Sequence, residues 1–190
     1  MELLKKRILE VGAVVSDQIL KLDAILNHQV DPQLIKAIGQ EFARLFGESK
    51  PTKVLTVESS GIPIAYATAY ELGVPLVFAR RKKPVTMVDD LYVERVPSFT
   101  KGIVTDIMVA SEFLKADDRV LLVDDFIANG DAARGLIRII ERSGAELLGV
   151  GIAVEKAFQA GGSSIRERGI RVESLARIAS LEGGRITFAD

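Results

Sequence analysis

Apolar residues recur along this chain at two spacings, helical and alternating or continuous, and the two succeed one another in an order that predicts helices and strands by turns. Leu3, Leu4, Ile8, Leu9 and Val11 fall at helical spacing and predict a short amphipathic helix, followed by a brief strand over 16–21. Asp31-Pro32 marks a helix start, with Asp as N-cap and Pro at the first position. Leu34, Ile35, Ile38, Phe42, Leu45 and Phe46 then share one face, and Gly47 is the expected stop. Short apolar runs at 53–57 and 75–79 read as strands, separated by a helix that reaches Leu72 and ends at Gly73. Strand, helix and strand in succession make one βαβ crossover, which implies parallel strands joined with a right-handed connection. From 80 to 101 the pattern changes to a basic run, Arg80-Arg81-Lys82-Lys83, and then mixed polar and β-branched residues, read as a hairpin-like excursion with a mobile tip. Strands over 102–110, 119–123 and 147–154, with a helix over 131–143 closed by Gly144, resume the doubly wound order.

Composition narrows what such a chain does. Its 190 residues, 48% hydrophobic and 27% charged, suffice for one substantial core but not comfortably for two, so a single domain over 1–190 with a small appended piece is expected. With no Cys and only His28, neither a disulfide framework nor a thiolate or zinc cluster can be built, and any metal should be a hard, oxygen-bound ion. A formal charge of -1 gives no general attraction to nucleic acid or anionic membrane. Lys5, Lys6 and Arg7 interrupt the apolar residues of the first segment, unlike a signal peptide, and no stretch approaches the roughly 20 apolar residues of a membrane span. The expected compartment is the cytoplasm. No Gly-x-x-x-x-Gly-Lys-Ser/Thr occurs, which argues against a P-loop nucleotidase.

The most informative segment runs from Val120 to Ala132: an apolar strand, Asp124-Asp125, the turn Ala128-Asn129-Gly130, and a helix start. Strands of an open parallel sheet end at a crevice, where a small-residue turn directs backbone N–H groups and a helix N-terminus at a bound anion. Adjacent carboxylates would repel a phosphate, so they should face sugar hydroxyls or a divalent cation. A phosphorylated sugar satisfies both halves. The ordinary alternative makes one Asp a helix cap and the other a surface turn residue, and consecutive strand residues point to opposite faces. The pair together with the turn favours a site.

These residues resemble the phosphoribosyl-diphosphate motif of the type I phosphoribosyltransferases. Glu58-Ser59-Ser60-Gly61-Ile62 is similar to that family's pyrophosphate loop. Asn27-His28-Gln29, Ser98-Phe99-Thr100-Lys101 and Glu155-Lys156 resemble its bacterial xanthine-using branch, and the resemblance covers nearly the whole chain. It implies a central parallel sheet flanked by helices, a small N-terminal hood of about 1–35 and a flexible flap of about 82–101. It also implies transfer of 5-phosphoribosyl from 5-phospho-α-D-ribose 1-diphosphate (PRPP) to N9 of xanthine, with substrate-bound Mg²⁺, in a homodimer with no nucleic-acid or membrane partner. The nearer alternative is the same transfer to guanine or hypoxanthine, and the more distant one a regulator that keeps the fold without catalysis.

By the resemblance, Asp124 and Asp125 bind the ribose hydroxyls, and Ala128, Asn129, Gly130, Asp131 and Ala132 cradle the 5-phosphate. Many family members carry hydroxyl side chains where this chain has Asn129 and Asp131-Ala132, so Asp131 is expected to point outward as a helix cap. Glu58, Ser59, Ser60 and Gly61 would hold pyrophosphate, with Arg80, Arg81 and Lys82 able to close over it; Lys83 reads as a solvated loop residue. Leu20 and Asn27 would contact xanthine from the hood, and Lys156, expected just past its strand, would donate to the exocyclic oxygen of a 6-oxopurine. Without the resemblance, Lys156 would be read as a surface residue or a partner of Glu155, Leu20 as core, and Asn27-His28 as a turn. Phe126 and Phe158 are read as core rather than as stacking groups.

Overall fold

The computed structural model describes residues 1–83, 90–98 and 103–189. Its elements in chain order are α1 (Glu2–Val11), β1 (Ala13–Ser16), β2 (Ile19–Lys21), α2 (Pro32–Phe46), β3 (Lys53–Val57), α3 (Ile62–Leu72), β4 (Leu76–Ala79), β5 (Leu91–Ser98) and β6 (Ile103–Ala110). Then follow β7 (Arg119–Ile127), α4 (Asp131–Ser143), β8 (Glu146–Lys156), α5 (Gly161–Arg166), β9 (Val172–Ser180) and β10 (Thr187–Phe188). Six strands form the central sheet in the order β10-β9-β8-β7-β3-β4, all parallel except for the antiparallel pair of β10 with β9.

Strand order places the crevice. From β3 the chain winds outward through α3 to β4, whereas from β7 it winds the other way through α4 to β8 and through α5 to β9. The direction of winding reverses between β3 and β7, and at such a switch point the loops leaving the two strands splay apart above the sheet. The loops after Val57 and Ile127 therefore flank one opening.

Helices on both faces bury the sheet in two cores. Phe42, Phe46, Leu121 and Val123 belong to one, which also takes in Leu20, Leu22, Ile25 and Leu26 of the N-terminal segment. Val120, Leu122, Leu136 and Ile140 belong to the other, shared with Val96 and Ile107 of the β5–β6 hairpin. Gly149 and Gly151 of β8 leave room for α2: a Cβ there would meet the Phe46 ring at 2.7 Å and the Phe42 ring at 2.9 Å. Burying each ring stabilises by roughly 3 kcal/mol on the scale of aromatic truncations. Asp31 caps α2 as expected, accepting from the Gln33 and Leu34 N–H groups at 3.1 Å each.

Several expected boundaries move. The strand expected over 16–21 is instead half of a hairpin in which β1 pairs antiparallel with β2 around Asp17 and Gln18, because the turn residues sit inside the apolar run. Gly47 does close α2, as expected, but not in the left-handed region. It stays right-handed (φ -59°), a 3₁₀ turn follows, and the break comes at Lys50 (φ 51°). The strand expected over 102–110 does not rejoin the central sheet. It starts at Ile103 and pairs along its length with β5, and the Arg80–Met108 bridge joins it to the chain just past β4. β7 continues past Val123 to Ile127, so both acids lie inside a strand, and β8 continues through Lys156. Phe99, Thr100 and Lys101 of the flap motif, and the expected mobile tip, lie outside the described residues.

Candidate active site

Both acids sit at the carboxyl end of β7, and the strand's alternation sends them to different sides. Val120 and Leu122 face the core beneath α4, and Asp124 continues that row into a cleft of about 200 Å³ lined with Arg81, Val96, Pro97 and the turn that follows β7. Leu121 and Val123 face the other core, and Asp125 continues that row toward the hood, where its Oδ2 accepts the Asn27 side-chain amide at 2.7 Å. Asp124 is 6% exposed and Asp125 7%. Burial is the main cause that pushes the Asp124 pKa well above the ordinary carboxylate range, and the neighbouring Asp125 charge adds to it.

Asp124 is fitted tightly beneath the other loop. A Cβ at Gly61 would lie 2.4 Å from Asp124 Oδ1 and 2.5 Å from Thr56 Oγ1, so only glycine lets the loop after β3 approach the acid this closely. Thr56 Oγ1 is buried and has no hydrogen-bond partner among the described residues. The Glu58–Ser59 peptide is cis. Glu58 differs from its neighbours in the loop: its carboxylate accepts the Arg81 backbone N–H at 2.6 Å and faces Arg80 Nε at 2.8 Å.

The turn after β7 is held from behind by α5. Gly130 takes a left-handed conformation (φ 80°) and is itself the N-cap of α4. Asp131 is therefore not the expected cap. It is the first helical residue, bound to Arg134 Nη2 at 2.7 Å, because the left-handed glycine already turns the chain into the helix. Arg134 also donates to Ser164 Oγ at 3.1 Å, tying α4 to α5. The Gly161 N–H donates to the Ala128 carbonyl at 2.9 Å, and a Cβ on Gly161 would overlap that oxygen at 2.3 Å and the Gly130 nitrogen at 2.7 Å. On its other side α5 rests on Glu155, only 2% exposed, whose two oxygens accept from Arg166 at 2.8 and 2.7 Å. Burial alone would raise the Glu155 pKa, but the bonds from Arg166 and Ser174 and the nearby guanidinium charges outweigh it and leave it below the usual range.

Lys156 follows Glu155 within β8 and does not pair with it, since successive strand side chains diverge. Its Nζ donates to the Gln18 carbonyl in the β1–β2 turn at 2.7 Å, beside a Gln159–Gln18 side-chain bond of 2.8 Å. Burial lowers the Lys156 pKa. Leu20 is buried in the hood's share of the core, and His28 ends a single π turn (Asp23–Asn27) that presents Asn27. Phe126 and Phe158 are partly buried against the core, as read.

The structure thus places a glycine-containing turn at one side of the two acids, and Asn27 of the hood, bonded to Asp125, at the other, with Lys156 held at the β1–β2 turn. The family model for the phosphoribosyl transferase domain matches residues 22–166, which takes in all of these except the hood's β1 and β2. The chain belongs to the phosphoribosyltransferases. Among its relatives in this family, the xanthine phosphoribosyltransferase of Moorella thermoacetica is 55% identical over 188 residues, covering 99% of this chain and 96% of that protein. The xanthine phosphoribosyltransferase of Geobacillus thermodenitrificans is 54% identical over 187 residues, covering 98% and 96%. Among solved phosphoribosyltransferases, an adenine phosphoribosyltransferase from Giardia lamblia complexed with 9-deazaadenine superposes with a TM-score of 0.77 at 22% identity, covering 92% of this chain and 97% of that one. One from Rhodothermus marinus gives 0.75 at 24%, covering 94% and 100%. These two show the shared phosphoribosyltransferase fold.

The sequence reading missed the parts that stand behind the site: Thr56 under Gly61, Gln18 beside Lys156, and α5 with its Glu155–Arg166 clamp. Only the adjacent pair Gly161-Gly162, shortly after a buried strand, offered a signal of close backbone approach.

Proposed function

We infer that this chain is a purine-salvage enzyme that transfers the 5-phosphoribosyl group of PRPP to N9 of xanthine, releasing pyrophosphate and forming xanthosine 5′-monophosphate. The observation that carries the reading is the acid pair buried at the β3–β7 switch point, beside the loops that leave the two strands. The identity of the base rests on relatives above 50% identity over almost the whole chain, named for xanthine.

In this reading the turn formed by Ala128, Asn129, Gly130, Asp131 and Ala132 takes the 5-phosphate on backbone N–H groups and the start of α4. Asp124 and Asp125 hold the ribose hydroxyls, and their charge favours the positive character that grows at the anomeric carbon as the bond to pyrophosphate loosens. Ser59, Ser60 and Gly61 face the leaving group. Leu20, Asn27 and Lys156 hold the base, the last exchanging the Gln18 carbonyl for a purine oxygen. We assign no obligatory side-chain base: xanthine is acidic enough to give up its proton to water, so catalysis rests on positioning and charge.

Among the described residues no cluster of three or more acidic or histidine side chains could hold a metal ion, and the acid pair at the cleft floor fits an Mg²⁺ held mainly by PRPP oxygens and water. Bound with PRPP, the ion would supply positive charge against the departing diphosphate. We also propose a homodimer and a cytoplasmic location. Tyr66 and Tyr70 on α3, 62% and 73% exposed with rings stacked at 6.4 Å, form an apolar surface suited to a second copy, and no described helix is long and apolar enough to cross a membrane.

Incubating the protein with Mg²⁺, PRPP and each of xanthine, guanine and hypoxanthine, and resolving the nucleotides formed, tests this directly. Xanthosine 5′-monophosphate should form fastest. Faster product from guanine or hypoxanthine reassigns the base, and no product from any purine refutes the transfer.

A further inference from the structure

A carboxylate in a loop that receives a polyanion is at first sight misplaced. Glu58 opens the loop assigned above to pyrophosphate, and one more negative charge there should weaken binding of that group. Its contacts account for it. Glu58 Oε1 accepts the Arg81 backbone N–H at 2.6 Å, Oε2 faces Arg80 Nε at 2.8 Å, and the Glu58 carbonyl accepts Arg81 Nε at 3.1 Å. A second anchor, from Arg81 Nη1 to Thr105 Oγ1 at 3.4 Å, reaches the β5–β6 hairpin. Arg81 in turn lines the cleft that holds Asp124 and the turn after β7.

We propose that Glu58 is a positioning residue for the leaving group: it fixes the backbone and guanidinium of Arg81, and the orientation of Arg80, so that the cationic side of the cleft is set before substrate arrives. The proposal rests on the phosphoribosyl-transfer reading of the site. The charge of Glu58 is absorbed by the two arginines it holds. An arginine anchored through its main chain and Nε loses less freedom on meeting a phosphate than one on a mobile loop.

The two accounts of Glu58 predict opposite signs. If Glu58 acted only through its charge, Glu58→Gln would tighten pyrophosphate binding. As a positioning residue, Glu58→Gln weakens it by about tenfold, the scale on which misplaced site groups act. The probe is magnesium pyrophosphate titrated calorimetrically into the full chain, alongside KM values for PRPP and for xanthine. Expected are weaker pyrophosphate binding and a higher PRPP KM, with xanthine KM within about twofold of wild type, a split that general loss of fold would not produce. Because Glu58 acts through Arg80 and Arg81, the triple variant Glu58→Gln/Arg80→Gln/Arg81→Gln should bind pyrophosphate no more weakly than Arg80→Gln/Arg81→Gln.

Unchanged or tighter binding by Glu58→Gln overturns the proposal, as do additive losses in the triple variant. Should Glu58→Gln not fold, Glu58→Asp keeps the charge with a shorter reach and is expected to bind more weakly than wild type; equal or tighter binding again overturns it. Wild-type protein that forms no nucleotide refutes the transfer reading, whereas wild-type protein that forms it while Glu58→Gln binds pyrophosphate undiminished refutes only the role of Glu58.

Discussion

The phosphate side and the base side of the cleft are built differently. On the phosphate side, the turn after β7 lies within one stretch of chain, is fixed by Gly130 and Arg134, and is backed by α5, which Glu155 and Arg166 clamp in place. On the base side, residues distant in sequence meet through single contacts: Asn27 with Asp125, and Lys156 and Gln159 with Gln18. The first half is a framework, while the second is a hood seated on the core by Leu20, Leu22, Ile25 and Leu26, whose polar contacts at the cleft are a few hydrogen bonds that, in the proposed function, a base would replace. Under the proposed function, recognition of the sugar phosphate would be preorganised, and recognition of the purine would exchange protein–protein contacts for protein–ligand ones.

Variants that separate the halves test this contrast. The largest effect is expected at the floor they share: Asp125→Ala should lower kcat/KM for both substrates by roughly 10²–10³, the loss typical of removing a group aimed at transition-state charge, with steady-state kinetics as the readout. Next is the framework itself. Glu155→Ala leaves Arg166 without its buried partner and should cost about 3 kcal/mol in urea unfolding, whereas a hood variant such as Gln18→Ala, which keeps the backbone carbonyl, should cost well under 1 kcal/mol. Equal costs would erase the distinction.

Gly161→Ala drives a methyl into the backbone of the turn and should raise the KM for PRPP severalfold while leaving that for xanthine almost unchanged; Lys156→Met should do the reverse. Parallel changes in both constants would mean that the halves are not separable.

The smallest expected effect is a pH dependence. The Asp124 pKa is raised in the folded state, so the native protein holds that proton more tightly than the unfolded chain does. The associated stability is full below the ordinary carboxylate range and falls as pH rises from there through the raised folded value. Asp124→Asn removes the cost of burying this charge and should raise the urea midpoint at neutral pH and flatten its pH dependence, while nucleotide synthesis is lost. An unchanged midpoint at pH 7 would show that the acid is not penalised by burial.

The framework was largely legible in the sequence because its signals are local. Asp31-Pro32, Gly73, Gly144 and the acid pair followed by Ala128-Asn129-Gly130 each declare a cap, a stop or a turn within a few residues. What failed to show were pairings that depend on tertiary partners. Nothing in 103–110 says whether its strand joins β4 or β5, and the extension of β7 through two acids runs against polarity, carried instead by its pairing with β8 as far as Ile127. The base side was legible only through resemblance. Asn27 and Asp125 are 98 positions apart and Lys156 and Gln18 are 138 apart, and no periodicity links such pairs. Asp131 was misread because a cap was assigned to the nearest acid when a left-handed glycine had already taken the position.

The sheet's outer margins carry a consequence for the protein at high concentration. At one margin β10 spans only Thr187 and Phe188, and at the other the end of β4 is occupied by the reciprocal Arg80–Met108 backbone bonds. Among the described residues both outermost strands are short, two residues in β10 and four in β4, and a short margin strand gives a foreign strand little to template on, which hinders a sheet rich in valine and isoleucine from growing fibre-like from molecule to molecule.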